Sequence, residues 1–161
     1  MPPIPRTAHA GGRLGVVVWC PRRRRVLYCS LQVPAWMQRL FARLDRRKAT
    51  YIGQMELLAV LAAYLTFPDV LAGQPVHHYV DNRSAIAGLI SGYSGRADSG
   101  AVIHAFQACM LELQCRPWFS FVYSEDNLAD LPSRFEYALL RRMGAERRQC
   151  VLPTLSSLLQ W

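Results

Sequence analysis

The sequence predicts an α/β domain, a mixed five-stranded sheet with helices on both faces. Three observations carry this prediction. Two apolar, β-rich runs flank a short basic turn near the N-terminus, a long helix follows that is apolar almost all round, and two later apolar strands each lead into a helix.

In chain order, residues 4–9 offer a first strand, although three prolines stand among the first five positions. Residues 14–20 and 26–33 form a hairpin around Arg22 to Arg25, the second arm alternating through Leu27, Cys29 and Leu31. Pro34 opens a helix over residues 35–48, with Trp36, Leu40, Phe41 and Leu44 on one face and Arg39, Arg43, Arg46 and Arg47 on the other. That pattern suits a partner surface, a nucleic-acid contact or a cover for the sheet edge. Residues 53–65 form a helix apolar through Leu57, Leu58, Val60, Leu61 and Leu65, and therefore buried. Pro68 and Gly73 to Pro75 close it. Residues 76–80 make a strand ending at Asp81, which is placed to cap a helix over residues 82–90. A Gly- and Ser-rich loop over 92–100 carries Arg96 and Asp98, and a helix over 101–114 leads to a strand over 118–123 and a last helix over 128–143. The domain is expected over residues 1–145, with 146–161 as a C-terminal extension.

At 161 residues, 52% hydrophobic, the chain suffices for one domain with a real core. Its formal charge of +8 is carried almost wholly by arginine, Lys48 being the single lysine, and favours polyanionic partners through bidentate phosphate contacts. The five cysteines form no C-x-x-C pair, which argues against zinc and for a reducing, intracellular setting. No apolar run reaches the roughly 18 residues of a membrane span, and the Pro- and Arg-rich start lacks a secretory apolar region. No membrane partner is expected.

The chemistry gathers in three segments. Ile52-Gly53-Gln54-Met55-Glu56-Leu57-Leu58-Ala59 puts an acid near the start of the apolar helix, Val80-Asp81-Asn82 puts one at a strand-to-helix turn, and Asn127-Leu128-Ala129-Asp130-Leu131-Pro132-Ser133-Arg134 puts one at the start of the last helix. Taken singly, each acid also suits a cap or a helix dipole. Taken together and in this order, over residues 7 to 140, they resemble the ribonuclease H domains that accompany reverse transcriptase in retroelements such as the tyrosine-recombinase retrotransposons.

The resemblance implies a ribonuclease H-like fold that binds RNA/DNA hybrid and hydrolyses its RNA strand with two Mg²⁺ ions, or Mn²⁺, held by carboxylates. It makes Glu56, Asp81 and Asp130 the catalytic metal ligands. It also makes Gln54, Asn82, Arg83 and Asn127 candidates for substrate binding, with Gln54 or Asn82 placed to sense the ribose 2′-OH. An adjacent reverse transcriptase domain is the implied partner. One ligand of the family's set is missing. The first strand of that family ends in Asp, whereas here it reads Arg6-Thr7-Ala8-His9-Ala10-Gly11-Gly12, and no acid precedes Asp45. Either Ala8 or His9 occupies the Asp position. His9 requires fewer changes and is the candidate metal ligand there, although a neutral imidazole bridges two Mg²⁺ ions poorly. Two functions follow: a nuclease impaired by that loss, or a catalytically inactive binding or scaffold module in a reverse transcriptase or ribonucleoprotein complex.

Overall fold

The computed structural model describes residues 1–44 and 52–160. Strands β1 (Ile4–Ala10), β2 (Arg13–Cys20) and β3 (Arg25–Gln32) form an antiparallel meander. The two-residue turn between β1 and β2 is Gly11-Gly12, both at positive φ (56° and 77°), which such tight hairpins require. Helix α1 (Ala35–Leu44) follows, then α2 (Ile52–Thr66), α3 (Pro68–Leu71), β4 (Pro75–Val80), α4 (Arg83–Ser91), α5 (Ala97–Leu113) and β5 (Arg116–Phe121). The chain closes with α6 (Asp130–Ser133), α7 (Ala138–Arg142), β6 (Glu146–Arg147) and α8 (Leu155–Leu159).

The sheet is mixed, in the order β5-β4-β1-β2-β3-β6, with β4 parallel to β1, β5 parallel to β4 and β6 parallel to β3. It has six strands where the sequence predicts five. The extra one is β6, a Glu-Arg pair on the outer edge with no apolar alternation to announce it. Helix α2 is apolar all round because it has no solvent face: it lies on β1 and β2 and is roofed by α4 and α5. Helix α6 lies on the opposite side, packed on β1, β2 and β3, so the sheet carries helices on both faces.

Four expectations need correction. The helix over 128–143 is two short helices, because Pro132 cannot continue the ladder and Phe135 turns left-handed at φ 63°. The 92–100 loop ends early, since α5 begins at Ala97. On α1 the inward pair is Met37 and Phe41, four residues apart, while Trp36 stays 39% exposed. Arg46, Arg47 and Lys48, assigned to the same helix, lie outside the described residues. The segment set apart as an extension is built into the domain: Leu158 of α8 is fully buried in the main core, and β6 pairs with β3. No helix among the described residues is long and apolar enough to cross a membrane.

Candidate functional site

Parallel pairing of Thr7 with Val80 brings the C-terminal ends of β1 and β4 side by side under the start of α2. Side chains alternate along a strand. Thr7 faces α2, where its hydroxyl meets His78 Nε2 at 3.1 Å, so His9 faces α2 as well. Ala8 points to the other face and is buried with Ala129 and Tyr28. The two registers are thereby separated: His9, with Nε2 3.2 Å from Glu56 Oε1, stands among the acids, and Ala8 does not.

Asp81 follows directly on β4 and accepts from Ser124 Oγ at 3.2 Å. It does not cap α4. Asn82 does, accepting from the Ala85 amide at 3.0 Å, which leaves Asp81 turned toward Glu56. Asp130 opens α6 and pairs with Arg134 at 2.7 Å. Its position is set by a staple and a close approach. Asn127 donates to the Thr7 carbonyl at 2.8 Å and accepts from the Ala129 amide at 3.3 Å, tying this loop to β1. Gly15 on β2 lets α6 approach, since a Cβ there would overlap the Ala129 carbonyl and the Ser133 amide.

The charges of the cluster are set by burial. Glu56 is 4% exposed, and its carboxyl is pushed up to about 9, first by burial, then by the charge of and hydrogen bond to Asp81, then by Asp130. Burial also lowers His9, against the opposing pull of Asp81 and Asp130. At neutral pH the His9–Glu56 contact is therefore a hydrogen bond between neutral groups rather than an ion pair. His9 Nε2 lies 3.2 Å from Glu56 Oε1, and the neighbouring charge of Asp81 helps to keep the proton on the acid. Glu56 Oε2, Asp81 Oδ1 and His9 Nδ1 are buried without a conventional partner, and are the atoms a bound group would have to satisfy.

The sequence-derived ligands Glu56, Asp81 and Asp130 thus share one electrostatic cluster with His9. The predicted substrate residues divide. Arg83 is exposed, its guanidinium 4.0 Å from the centre of the Phe121 ring, and Asn82 is half-buried at the rim. Gln54 is fully buried and donates to Asp98, so it cannot touch a nucleic acid. Asn127 spends both ends of its amide on the backbone and is a positioning residue. Asp98, which the sequence places in a Gly- and Ser-rich loop, is instead fully buried in the first turn of α5, and the Ser124 contact to Asp81 was not foreseen. The polar neighbours of Asp98 in sequence gave no sign of its burial.

The cluster does not fit a pair of Mg²⁺ ions. Its first-strand position offers nitrogen where a hard ion takes oxygen. Among the described residues no three His, Cys, Asp or Glu side chains are gathered around one ion position. The sequence matches no family model and no curated protein.

Proposed function

We propose that this chain is a ribonuclease H-type domain of the kind that accompanies reverse transcriptase in retroelements, on a ribonuclease H-like fold. It binds RNA/DNA hybrid at the Glu56, Asp81 and Asp130 cluster, and its hydrolysis of the RNA strand is impaired by His9. One observation carries the reading: three acids from separate segments lie close enough to couple electrostatically near the ends of two adjacent parallel strands, and the side chain beside them belongs to the first strand. Mg²⁺, where such a site is complete, activates water and stabilises the leaving oxygen. The present sequence supplies no first-strand oxygen for that purpose. What its own residues supply is a rim of guanidinium groups, Arg83 and Arg134, beside the acids.

The test is His9→Asp. An aspartate in this place gives the missing oxygen ligand and sets a second acid against Glu56, so the variant should be less stable than the parent without metal and be stabilised by Mg²⁺ in thermal melts. Cleavage of labelled hybrid in Mg²⁺ or Mn²⁺ should rise by about a hundredfold or more. Ala8→Asp, aimed at the opposite face, should do neither. If His9→Asp folds and binds hybrid but gains neither Mg²⁺ stabilisation nor cleavage, the hydrolytic reading fails. The second reading, a binding or scaffold module beside a reverse transcriptase, then stands. It draws on the His9–Glu56 contact, which gives one oxygen of a buried acid a neighbour without any metal.

A further inference from the structure

We propose that Cys150 and Cys29 form a hydroperoxide-sensitive dithiol, with Cys150 as the thiol attacked first and Cys29 as the one that resolves it into a disulfide. The pair lies at the β3–β6 edge of the sheet and belongs to no part of the acidic cluster. Backbone pairing sets it up. Tyr28 pairs with Arg147, and the Arg148 amide donates to the Tyr28 carbonyl at 2.9 Å, so the chain leaving β6 passes beside Cys29, the next residue of β3. Cys29 is fully buried, whereas Cys150 is only partly so.

The hydroxyl of Thr66, at the end of α2, lies between the two sulfurs. Cys29 Sγ donates to Thr66 Oγ1 at 3.9 Å, Thr66 Oγ1 donates to Cys150 Sγ at 4.0 Å, and the Val151 amide holds the hydroxyl at 2.9 Å. Every donor in this chain points toward Cys150, so the geometry favours the thiolate there and the thiol on Cys29. The directions of the two titrations agree: hydrogen bonding from Cys29 lowers Cys150, while the same bond and burial raise Cys29. An open depression of about 450 Å³, lined by Ser30, Arg147, Arg148 and Cys150 among others, gives a small oxidant access beside Cys150, while the Arg148 guanidinium is engaged by Asp69 and that of Arg147 lies over the Tyr137 ring. The remaining thiols lack these features. Cys109 is pushed up to about 11, mainly by burial, and Cys115 donates to the Leu71 carbonyl at 2.8 Å.

The chemistry balances with a hydroperoxide as oxidant. The Cys150 thiolate attacks the terminal peroxide oxygen, the O–O bond breaks, and the alcohol or water leaves with a proton, giving a sulfenic acid. The Cys29 sulfur then attacks Cys150, the S–O bond breaks, and hydroxide leaves as water with the Cys29 proton. Two thiols are oxidised and one peroxide is reduced.

Sub-stoichiometric hydrogen peroxide on the intact protein tests this directly. The expected product is two hydrogen masses lighter, carries three free thiols instead of five, and yields one cross-linked peptide pair joining Cys29 to Cys150. In Cys29→Ser the sulfenic acid should persist on Cys150 and be trapped by dimedone, forming about tenfold faster than at Cys20, Cys109 or Cys115. Oxidation spread evenly over the five thiols, or a disulfide joining any other pair, overturns the proposal. The wild-type peptide map decides this even if the serine variant folds poorly.

Discussion

Glu56 holds its proton in the folded protein up to about pH 9, whereas in the unfolded chain it releases it near its ordinary value of 4.5. Between those limits the native state binds more protons than the unfolded one, so stability falls as pH rises. His9, lowered from 6.5, contributes only below that value, where the unfolded chain binds the extra proton and stability falls with acidification. Between pH 7 and 8 the slope belongs to Glu56, before the buried thiols Cys29, Cys109 and Cys115, each raised from 9.0, add to it. Thermal melts of the metal-free protein should therefore decline from pH 7 to 8, and Glu56→Gln, similar in shape but unable to ionise, should flatten that decline. A parallel decline in the variant would show that Glu56 is not the group responsible. Gln54 illustrates how far one side chain can be judged from its neighbours in sequence. It stands two positions from Glu56, but a helix rotates such neighbours to different faces, and this one turns toward α5 and Asp98.

The element that places Asp130 is short, and other parts of the chain hold it in position. Helix α6 reaches β2 only because Gly15 has no side chain. Gly15→Ala should force the two apart and cost about 1–3 kcal/mol, read as a lower midpoint in urea, while displacing Asp130 relative to Asp81. A variant as stable as the parent would mean that α6 yields without strain. The strands, α2 and the order of elements were legible in the sequence, because their apolar periodicity is long or their ends are marked by Gly and Pro. The last helix was not. Its apolar residues run at helical spacing through Leu128, Leu131 and Leu139, and the break depends on Pro132 and on the left-handed Phe135, a conformation that a phenylalanine does not advertise. Strand β6 escaped for the opposite reason: two charged residues carry no period. At the site, the three acids were legible as motif positions, but the choice between Ala8 and His9 required the strand's facing, which the His9–Glu56 contact and the burial of Ala8 on the other face decide.

Across the whole molecule, the basic residues divide between two ends. The acids lie where β1 and β4 finish, the end at which the Gly11-Gly12 turn and the start of α1 also lie. Arg22, Arg23 and Arg24, in the turn after β2, sit at the far end of that strand, about 20 Å away at roughly 3.3 Å per strand residue. Arg25 beside them is engaged by Glu146. Hybrid bound at the acids should accordingly be sensitive to Arg39→Ala, Arg43→Ala and Arg83→Ala, each reducing affinity and lowering the slope of log K against log salt by about one. Arg23→Ala should leave both nearly unchanged. Equal losses from the two ends would place the nucleic acid along the sheet rather than at the cluster.

The centre of the sheet is occupied by its earliest strand. Thr7 waits for a partner, His78, that lies 71 positions further on, and β6 closes the other edge only near residue 147. During synthesis the β1-β2-β3 meander therefore emerges with the β1 edge unpaired and with Val16, Val18, Leu27 and Cys29 uncovered until α2 and then β4 follow. Such a topology folds slowly, because distant segments must meet before either is rewarded. For that interval the nascent chain presents an unpaired strand edge and an uncovered apolar face, the two features that favour pairing with another chain, and both close only when residues 75–80 take their place in the sheet.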